Sequence, residues 1–234
     1  MARSLAAVIA AGGSSARLGT FKPLAELGGR PLISYALDCA SRAAPTVYLL
    51  VNSPPQAERL MRAIGGYRAS FIFDRGHLPF PGSLAASLAQ VDEEVIFLMG
   101  CDTPFLDSRL PRLLLPRMGS CGAAVPVWPN GYAEPMAALY LRSRLPTGGA
   151  APSMRSFLQA MGPTFVKIAD LGVDPASFLN VNRPSDLRDA EAKLSYLDRG
   201  GKLFSPLMDA GERQAPINRT RSQTQLKPAR RRYY

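Results

Sequence analysis

The chain has 234 residues, 47% of them hydrophobic, which is enough for one α/β domain with a buried core and excludes a chain disordered throughout. No apolar run reaches the roughly 18 residues that a membrane span needs, so we expect a cytoplasmic protein. The net charge of +10 is concentrated in residues 213–234, which contain seven arginine or lysine residues and no acid, so we do not expect the nearly balanced remainder to bind nucleic acid.

Apolar runs of strand length alternate with helical patterns along the chain, which is typical of βα units. We therefore predict a three-layer α/β fold, with a mostly parallel central sheet and helices on both faces. The predicted strands are residues 5–11, 46–52, 70–73, 94–99, 123–127, 137–141 and 165–168. The predicted helices are residues 31–43, 56–64, 84–90, 109–118, 153–161 and a last one that begins at Pro184.

The last helix has Leu187, Ala190 and Leu194 on one face, and we place the end of the domain near Asp198. Residues 1–198 then form one domain. Residues 199–234 form a basic tail of low hydrophobicity, which favours a disordered segment. Contact of the tail with RNA or an acidic partner is the alternative.

Polar residues follow three of the predicted strands, namely Asn52, Asp74 and Asp102. Open α/β sheets bind ligands outside the carboxyl ends of their strands. We therefore expect these three side chains to line one ligand site.

A glycine-rich loop follows the first strand and includes Gly12, Gly13 and Arg17 before it reaches Lys22. Glycines let backbone amides approach phosphate oxygens, and the two basic side chains add positive charge, so the loop suits a triphosphate. Lys22 is the only lysine before Lys167, which also favours a phosphate ligand over a solubilising role. The spacing matches neither the P-loop nor the G-x-G-x-x-G pattern, and an ordinary turn between strand and helix is the alternative.

Asp102 stands at the end of an apolar strand and is followed by Thr103 and Pro104. A bound triphosphate needs a divalent cation, and Mg²⁺ prefers one or two carboxylates together with phosphate oxygens. We predict that Asp102 binds Mg²⁺. A capping or turn role is the alternative.

Other metal and redox chemistry finds little support in the sequence. His77 is the only histidine, which excludes a histidine triad and a multi-histidine zinc site. Cys39, Cys101 and Cys121 lie too far apart for a close-spaced metal site, and we expect small buried side chains in a reducing compartment.

Four segments in order, between Ala6 and about Leu187, resemble the molybdenum cofactor guanylyltransferases, a family of the nucleotidyltransferase superfamily. Residues 11–19 with Lys22 are similar to the pattern A-G-G-x-S-x-R-x-G followed by lysine. The others are Cys101-Asp102-Thr103-Pro104-Phe105, the segment Glu134–Tyr140, which is similar to E-P-L-x-A-L-Y, and residues 178–187, which are similar to N-V-N-T-P-x-D-L.

The resemblance implies a Rossmann-like nucleotidyltransferase fold and transfer of GMP from GTP to the terminal phosphate of molybdopterin, with release of pyrophosphate. It implies nucleotide contacts from the first loop and the strand ends, namely Ala10, Ala11, Gly12, Gly13, Lys22, Asn52, Asp74 and Asp102. We assign catalysis to Arg17, Lys22 and Asp102, Mg²⁺ to Asp102, and the acceptor to Asn180 and Asn182. Other proteins of molybdenum cofactor biosynthesis, or chaperones of molybdenum enzymes, are the expected protein partners.

The chain departs from the family pattern at four positions. Ala10 replaces the usual leucine, Phe21 replaces an acid, and Ser83 and Ala86 replace a proline and a glycine. These departures bear mostly on the acceptor. The alternatives are therefore a nucleotidyltransferase for CTP and molybdopterin, for GTP and cobinamide phosphate or for a sugar phosphate, and a non-catalytic module that binds nucleotide or nucleic acid.

Overall fold

The structure is a computed structural model that describes residues 3–12, 21–74, 82–147, 151 and 153–199. Three residues singled out from the sequence, Gly13, Arg17 and His77, lie outside the described residues. The predicted basic tail also lies outside them, apart from Arg199.

Strands and helices alternate through the described residues, as predicted. The strands are β1 (Leu5–Ala10), β2 (Glu26–Leu27), β3 (Arg30–Pro31), β4 (Thr46–Val51), β5 (Ser70–Phe73), β6 (Val95–Gly100), β7 (Ala123–Val127), β8 (Ala137–Leu141) and β9 (Pro163–Lys167). The helices are α1 (Leu32–Ala43), α2 (Pro54–Ala63), α3 (Gly82–Leu88), α4 (Leu110–Met118), α5 (Met154–Met161) and α6 (Pro184–Asp198). Short 3-10 helices include Lys22–Leu24 and Ile168–Leu171.

The central sheet has seven strands in the order β5-β4-β1-β6-β8-β7-β9. Within these seven described strands, only β8 runs antiparallel to its neighbours, β6 and β7. The other pairs are parallel. The predicted fold class, a mostly parallel sheet between helices, is confirmed.

The middle strands are buried on both faces, as expected for continuous apolar runs. Every residue of β6 is buried, and β1 is buried except at its two ends. Side chains alternate between the faces. Ala7 and Ile9 face α1, α2 and α4, whereas Ala6 and Val8 face α3 and α5.

A smaller apolar cluster joins α6 to the hairpin formed by β2 and β3. Leu187, Ala190 and Leu194 contribute to it, which confirms the face predicted for the last helix. The hairpin turn is made by Gly28 and Gly29, whose φ angles of 55° and 75° are costly for other residues. This hairpin was not predicted from the sequence.

Element boundaries differ from prediction by one or two residues at several ends. The strand predicted from Glu94 begins at Val95, because Glu94 is exposed and pairs with Arg3 at 3.2 Å. The strand predicted to end at Ile168 ends at Lys167, because Ile168 begins a 3-10 helix. None of the helices in the described part of the chain has both the length and the apolar character that a membrane span requires.

Candidate active site

The carboxyl ends of β1, β4, β5 and β6 meet at one edge of the sheet because these strands are parallel. Backbone hydrogen bonds continue the strand pairing just beyond the strand ends, from Ala11 to Leu50 at 2.9 Å, from Asp74 to Val51 at 2.8 Å and from Cys101 to Ala10 at 3.3 Å. The residues that follow, Asn52, Asp74 and Asp102, therefore lie along this edge, which we call the rim.

Lys22 joins two of the predicted site residues at the centre of the rim. Its Nζ donates a hydrogen bond to Oδ2 of Asp102 at 2.5 Å and another to Oδ1 of Asn182 at 2.7 Å. All three side chains are only partly exposed. Residues predicted to bind phosphate, metal and acceptor are thus in direct contact, although 80 and 160 positions separate Lys22 from its partners.

The turn after β6 fixes the position of Asp102. A Cβ atom on Gly100 would overlap Oδ1 of Asp102, so this position accepts only glycine without rearrangement. The carbonyl of Asp102 accepts a hydrogen bond from the amide of Val181 at 2.8 Å, and the hydroxyl of Thr103 donates to the carbonyl of Gly100 at 3.1 Å. Asp102 is therefore held both by its own turn and by the segment that carries the two asparagines.

Asn52 is packed against the start of the glycine-rich loop. Its Nδ2 donates to the carbonyl of Gly12 at 2.6 Å, and a Cβ atom on Gly12 would overlap the amide of Asn52. The backbone amide of Asn52 donates to Oε1 of Gln56 at 2.9 Å. The end of β4 and the start of the loop are therefore fixed relative to each other, and glycine at position 12 permits this close approach without movement of Asn52.

Asp74 faces α3 at the far end of the rim. The hydroxyl of Ser87 donates to Oδ1 of Asp74 at 3.3 Å and also to the carbonyl of Ser83 at 2.7 Å. Ser83, one of the positions that departs from the family pattern, is buried in this helix.

The segment with the two asparagines alternates between the core and the rim. Val181 is completely buried in the cluster around α6, whereas Asn180 and Asn182 are half-buried. Oδ2 of Asp186 accepts hydrogen bonds from the backbone amides of Asn182 at 2.8 Å and Arg183 at 2.9 Å. The amino end of α6 thereby holds Asn182 beside Lys22.

A carboxylate that was not assigned to the site from the sequence lies at the same edge of the sheet as Asp102. Glu134 precedes β8, and β8 runs antiparallel to β6, so Glu134 lies at the rim where β6 ends. Nε1 of Trp128 donates to Oε1 of Glu134 at 2.6 Å. Burial raises the pKa of Glu134, the charge of Asp102 raises it further, and the hydrogen bond from Trp128 lowers it.

The Trp128 ring also contacts the segment that leads to the asparagines. It packs edge to face on Phe178, with ring centroids 5.9 Å apart. The carbonyl of Phe178 accepts a hydrogen bond from Nδ2 of Asn180 at 3.3 Å. Trp128 therefore supports both Glu134 and the residues that precede Asn180.

Two of the three cysteines are buried, as expected from the sequence, whereas Cys121 is only partly buried. Cys39 and Cys101 are buried, and burial raises the pKa of each thiol to about 12. These two side chains therefore remain thiols at neutral pH, and Cys101 supplies no thiolate beside Asp102.

Comparison with known proteins gives the family. A family model described as MobA-like NTP transferase domain matches residues 7–164, which is more than half of the chain. The chain belongs to this family. It is therefore a nucleotidyltransferase, as predicted from its motifs.

Relatives of similar length agree with the family model. The molybdenum cofactor guanylyltransferase of Shewanella sediminis is 31% identical over 207 residues, which cover 82% of this chain and 100% of the relative. That of Shewanella pealeana is 29% identical over 195 residues, which cover 79% and 92%. The resemblance inferred from the four motifs is confirmed.

Solved structures share the fold. Molybdopterin-guanine dinucleotide biosynthesis protein A of Archaeoglobus fulgidus is 24% identical, with a TM-score of 0.67 over 81% of this chain and 98% of that one. A nucleotidyl transferase of Methanothermobacter thermautotroptrophicus is 19% identical, with a TM-score of 0.63 over 82% and 98%. These likenesses support the fold of the family.

The structure brings most of the predicted site residues to one rim, and two of them, Gly13 and Arg17, lie outside the described residues. Trp128 and Glu134 were missed as a pair. Trp128 is the only tryptophan of the chain, and it stands six positions before a glutamate in one of the family motifs. That spacing was the one feature of the sequence that could have indicated the pair.

Proposed function

We propose that the protein transfers GMP from GTP to the terminal phosphate of molybdopterin and releases pyrophosphate. Family membership and relatives named as molybdenum cofactor guanylyltransferases support the reaction. The observation that carries the proposal is the contact of one ammonium, that of Lys22, with both Asp102 and Asn182 at the rim. A cation, a carboxylate and an amide in contact at the rim support a role of these three residues in phosphate chemistry.

The nucleotide occupies the side of the rim formed by β1, β4 and β5 in this proposal. Backbone groups of Ala10, Ala11, Gly12 and Gly13 approach the triphosphate, and Arg17 and Lys22 contribute positive charge. The base and ribose extend toward Asn52 and Asp74, whose amide and carboxylate can bind ring N–H groups or hydroxyls.

A divalent cation accompanies nucleotide chemistry in this family, and we propose that it is Mg²⁺. The described residues contain no group of three or more His, Cys, Asp or Glu side chains that could hold a metal ion. Asp102 and Asn182 offer a carboxylate and an amide oxygen, the hard oxygen donors that Mg²⁺ uses together with phosphate oxygens. The cation, when bound, neutralises phosphate charge.

The chemistry requires positioning more than proton transfer. A terminal phosphate oxygen of molybdopterin attacks the α-phosphorus of GTP, and the bond from that phosphorus to the bridging oxygen breaks to release pyrophosphate. The attacking oxygen is already anionic at neutral pH, so no general base is needed. Lys22 and Arg17 stabilise the charge that develops on the leaving group, while Asn180 and Asn182 orient the acceptor.

The test is a turnover assay with purified molybdopterin, Mg²⁺ and either GTP or CTP. We expect pyrophosphate release and a guanine dinucleotide product with GTP, and little product with CTP. Lys22→Ala is expected to lower turnover by about 10² or more, because an oriented cation at the leaving group is lost. Lys167→Ala, which removes an exposed lysine at the end of β9, is the control and should leave turnover unchanged.

Efficient turnover with CTP, with cobinamide phosphate or with a sugar phosphate would replace this proposal with the corresponding alternative. Absence of product with every triphosphate and acceptor would favour the non-catalytic module.

A further inference from the structure

Glu134 is a carboxylate at the rim that the reaction described above does not use. We propose that Glu134 binds the acceptor, by accepting hydrogen bonds from neighbouring N–H groups at the edge of a 2-amino-4-oxopyrimidine ring. The inference rests on the proposed function, because a pterin such as molybdopterin carries this ring edge.

The position of Glu134 follows from the pairing of β8 with β6. Met99 lies opposite Ala137, and the amide of Gly100 donates to the carbonyl of Met136 at 3.2 Å. Two residues before Met136, Glu134 has passed the end of β6 and is close enough to Asp102 for their charges to interact. It therefore flanks the reacting centre without belonging to the contact between Lys22 and Asp102.

The orientation of Glu134 is set by three contacts. Its backbone amide donates to the carbonyl of Pro126 at 2.9 Å, and its own carbonyl accepts from the amide of Ala137 at 3.1 Å. The indole of Trp128 donates to Oε1, and the indole ring is itself packed on Phe178. A carboxylate can accept about four hydrogen bonds, so the bond from Trp128 leaves capacity for further donors.

Glu134, Trp128 and Phe178 form one corner of the site, and the negative charge of this corner indicates which ligand it can bind. A carboxylate beside Asp102 repels a phosphate, whereas it attracts adjacent N–H donors, as carboxylates do when they bind guanidinium-like edges. Asn180, half-buried and bonded to the carbonyl of Phe178, is linked to Glu134 through the contact of Phe178 with Trp128. The corner therefore suits the ring end of the acceptor, with its phosphate directed toward Lys22.

Guanine has the same donor edge as a pterin, so the base of GTP is the competing occupant. The glycine-rich loop and the proposed base contacts, Asn52 and Asp74, lie on β1, β4 and β5. Glu134 lies on the other side of β6, next to β8. An acceptor that attacks opposite the leaving pyrophosphate must enter from the side away from the triphosphate, which is the side of Glu134.

The first test measures the KM of each substrate in Glu134→Gln, which keeps the size of the side chain and an acceptor for Trp128. The KM for molybdopterin is expected to rise about 10- to 100-fold, the range for a lost hydrogen bond to a charged group, while the KM for GTP stays within about twofold. Glu93→Gln is the matched control, because Glu93 also accepts from an aromatic side chain, Tyr48 at 3.2 Å, at the opposite end of the sheet. A rise confined to the KM for GTP would mean that Glu134 binds the base, and unchanged values for both substrates would also overturn the proposal.

The second test needs no turnover. Trp128 is the only tryptophan, so its fluorescence reports on this corner directly. Pterin is expected to quench it at a concentration at least about tenfold lower than lumazine, in which an oxo group replaces the 2-amino group, and this preference should vanish in Glu134→Gln. If Glu134→Gln does not fold, Glu134→Asp is titrated instead, and its shorter carboxylate should lose about fivefold or more of the pterin affinity.

Equal quenching by pterin and lumazine in the unmodified chain, or an unchanged preference in the variant, would overturn the assignment of Glu134. Failure of GMP transfer to molybdopterin in the unmodified chain is a separate result. It would refute the proposed function. The fluorescence titration would still decide whether Glu134 accepts hydrogen bonds from the N–H groups of the pterin ring.

Discussion

Lys22 and Asp102 form an ion pair between the residue proposed to bind phosphate and the residue proposed to bind the cation. Before nucleotide binds, the ammonium and the carboxylate neutralise each other at 2.5 Å, and Asn182 holds the ammonium from a second side. In the proposed reaction, a triphosphate with its cation would supply a new partner to each of them. The two side chains would then exchange partners when substrate enters.

Asp102→Asn tests whether the charge of this carboxylate is needed. Turnover at saturating GTP is expected to fall by about 10² or more and to require more Mg²⁺, because the amide carries no negative charge to balance the cation. Stability without ligand should change by no more than about 1 kcal/mol, since asparagine still accepts from Lys22. The measurements are turnover across a Mg²⁺ titration and unfolding of the ligand-free protein.

Asp107→Asn is the matched control, because Asp107 also pairs with a cation, Arg109 at 2.7 Å. Its turnover should remain normal. Normal turnover and an unshifted Mg²⁺ optimum in Asp102→Asn would remove Asp102 from the metal site.

Glu134→Gln has a consequence for stability as well as for binding. Burial, with the charge of Asp102, raises the pKa of Glu134 above its ordinary value of 4.5, so the folded state binds this proton more tightly than the unfolded state. Protonated Glu134 therefore contributes to the free energy of unfolding below pH 4.5, and this contribution is lost as the pH rises through the raised pKa. The variant should therefore unfold at a higher temperature than the unmodified chain at pH 7 to 8, and the two should converge in acid.

Melting temperatures of both proteins between pH 4 and pH 8 check this expectation. Glu93→Gln serves again as the reference for an effect of the substitution alone. A Glu134→Gln variant that is less stable than the unmodified chain at pH 8 would contradict the argument.

At the scale of elements, the start of α6 links stability to the site. The carboxylate of Asp186 accepts from two backbone amides, those of Asn182 and Arg183, and so fixes the asparagine that contacts Lys22. Asp186 lies in the first turn of the helix, and its connection to the site depends on the path of the preceding segment.

Asp186→Ala is expected to lower the free energy of unfolding by about 1 to 2 kcal/mol, because two backbone donors lose their acceptor. Turnover should fall several-fold as well, since Asn182 is no longer held. Chemical denaturation and the turnover assay measure the two effects. Asp189→Ala, at an exposed position of the same helix, should change stability by less than about 0.5 kcal/mol and leave turnover unchanged.

Elements with strong local patterns were predictable, and those defined by distant pairing were not. α1 shows helical spacing over 12 residues, and β6 is a continuous apolar run, so both were found within one or two residues of their true ends. The hairpin of β2 and β3 has two residues in each strand, too few for a periodic pattern. The reversed direction of β8 depends on which strands it pairs with, which no local pattern records.

The same limit applies to the candidate site. Lys22, Asn52, Asp74 and Asp102 could be proposed because each belongs to a motif or follows a strand. Their contacts could not, because the partners are far apart in the chain. Glu134 belongs to a motif but was not assigned to the site, because its position at the rim depends on β8 being antiparallel to β6.

At the scale of the whole molecule, the charge of the chain is divided unevenly. The described helices and the sheet bury their apolar faces against one another in three clusters, and the last of these is completed by α6. The excess of positive charge lies beyond that helix, in residues 213–234. We therefore expect truncation of the tail to remove a large part of the net positive charge and to leave the stability of the folded domain unchanged.

Deletion of residues 203–234 is expected to change the melting temperature by less than about 2 °C, because most of the removed segment, residues 213–234, has a polar, charged composition that buries little apolar surface. Turnover at saturating substrates should also be retained, since every proposed site residue precedes Asp198. Binding to an anionic heparin column should weaken, because the deletion removes the seven basic residues of 213–234 and only two acids, Asp209 and Glu212. Replacement of these seven residues by glutamine removes the charge but keeps the length of the chain. This variant should elute from heparin no later than the truncated protein and should melt at the temperature of the full-length protein. A large fall in melting temperature on truncation, absent in the glutamine variant, would instead show that the tail packs on the domain and that the domain boundary near Asp198 is wrong.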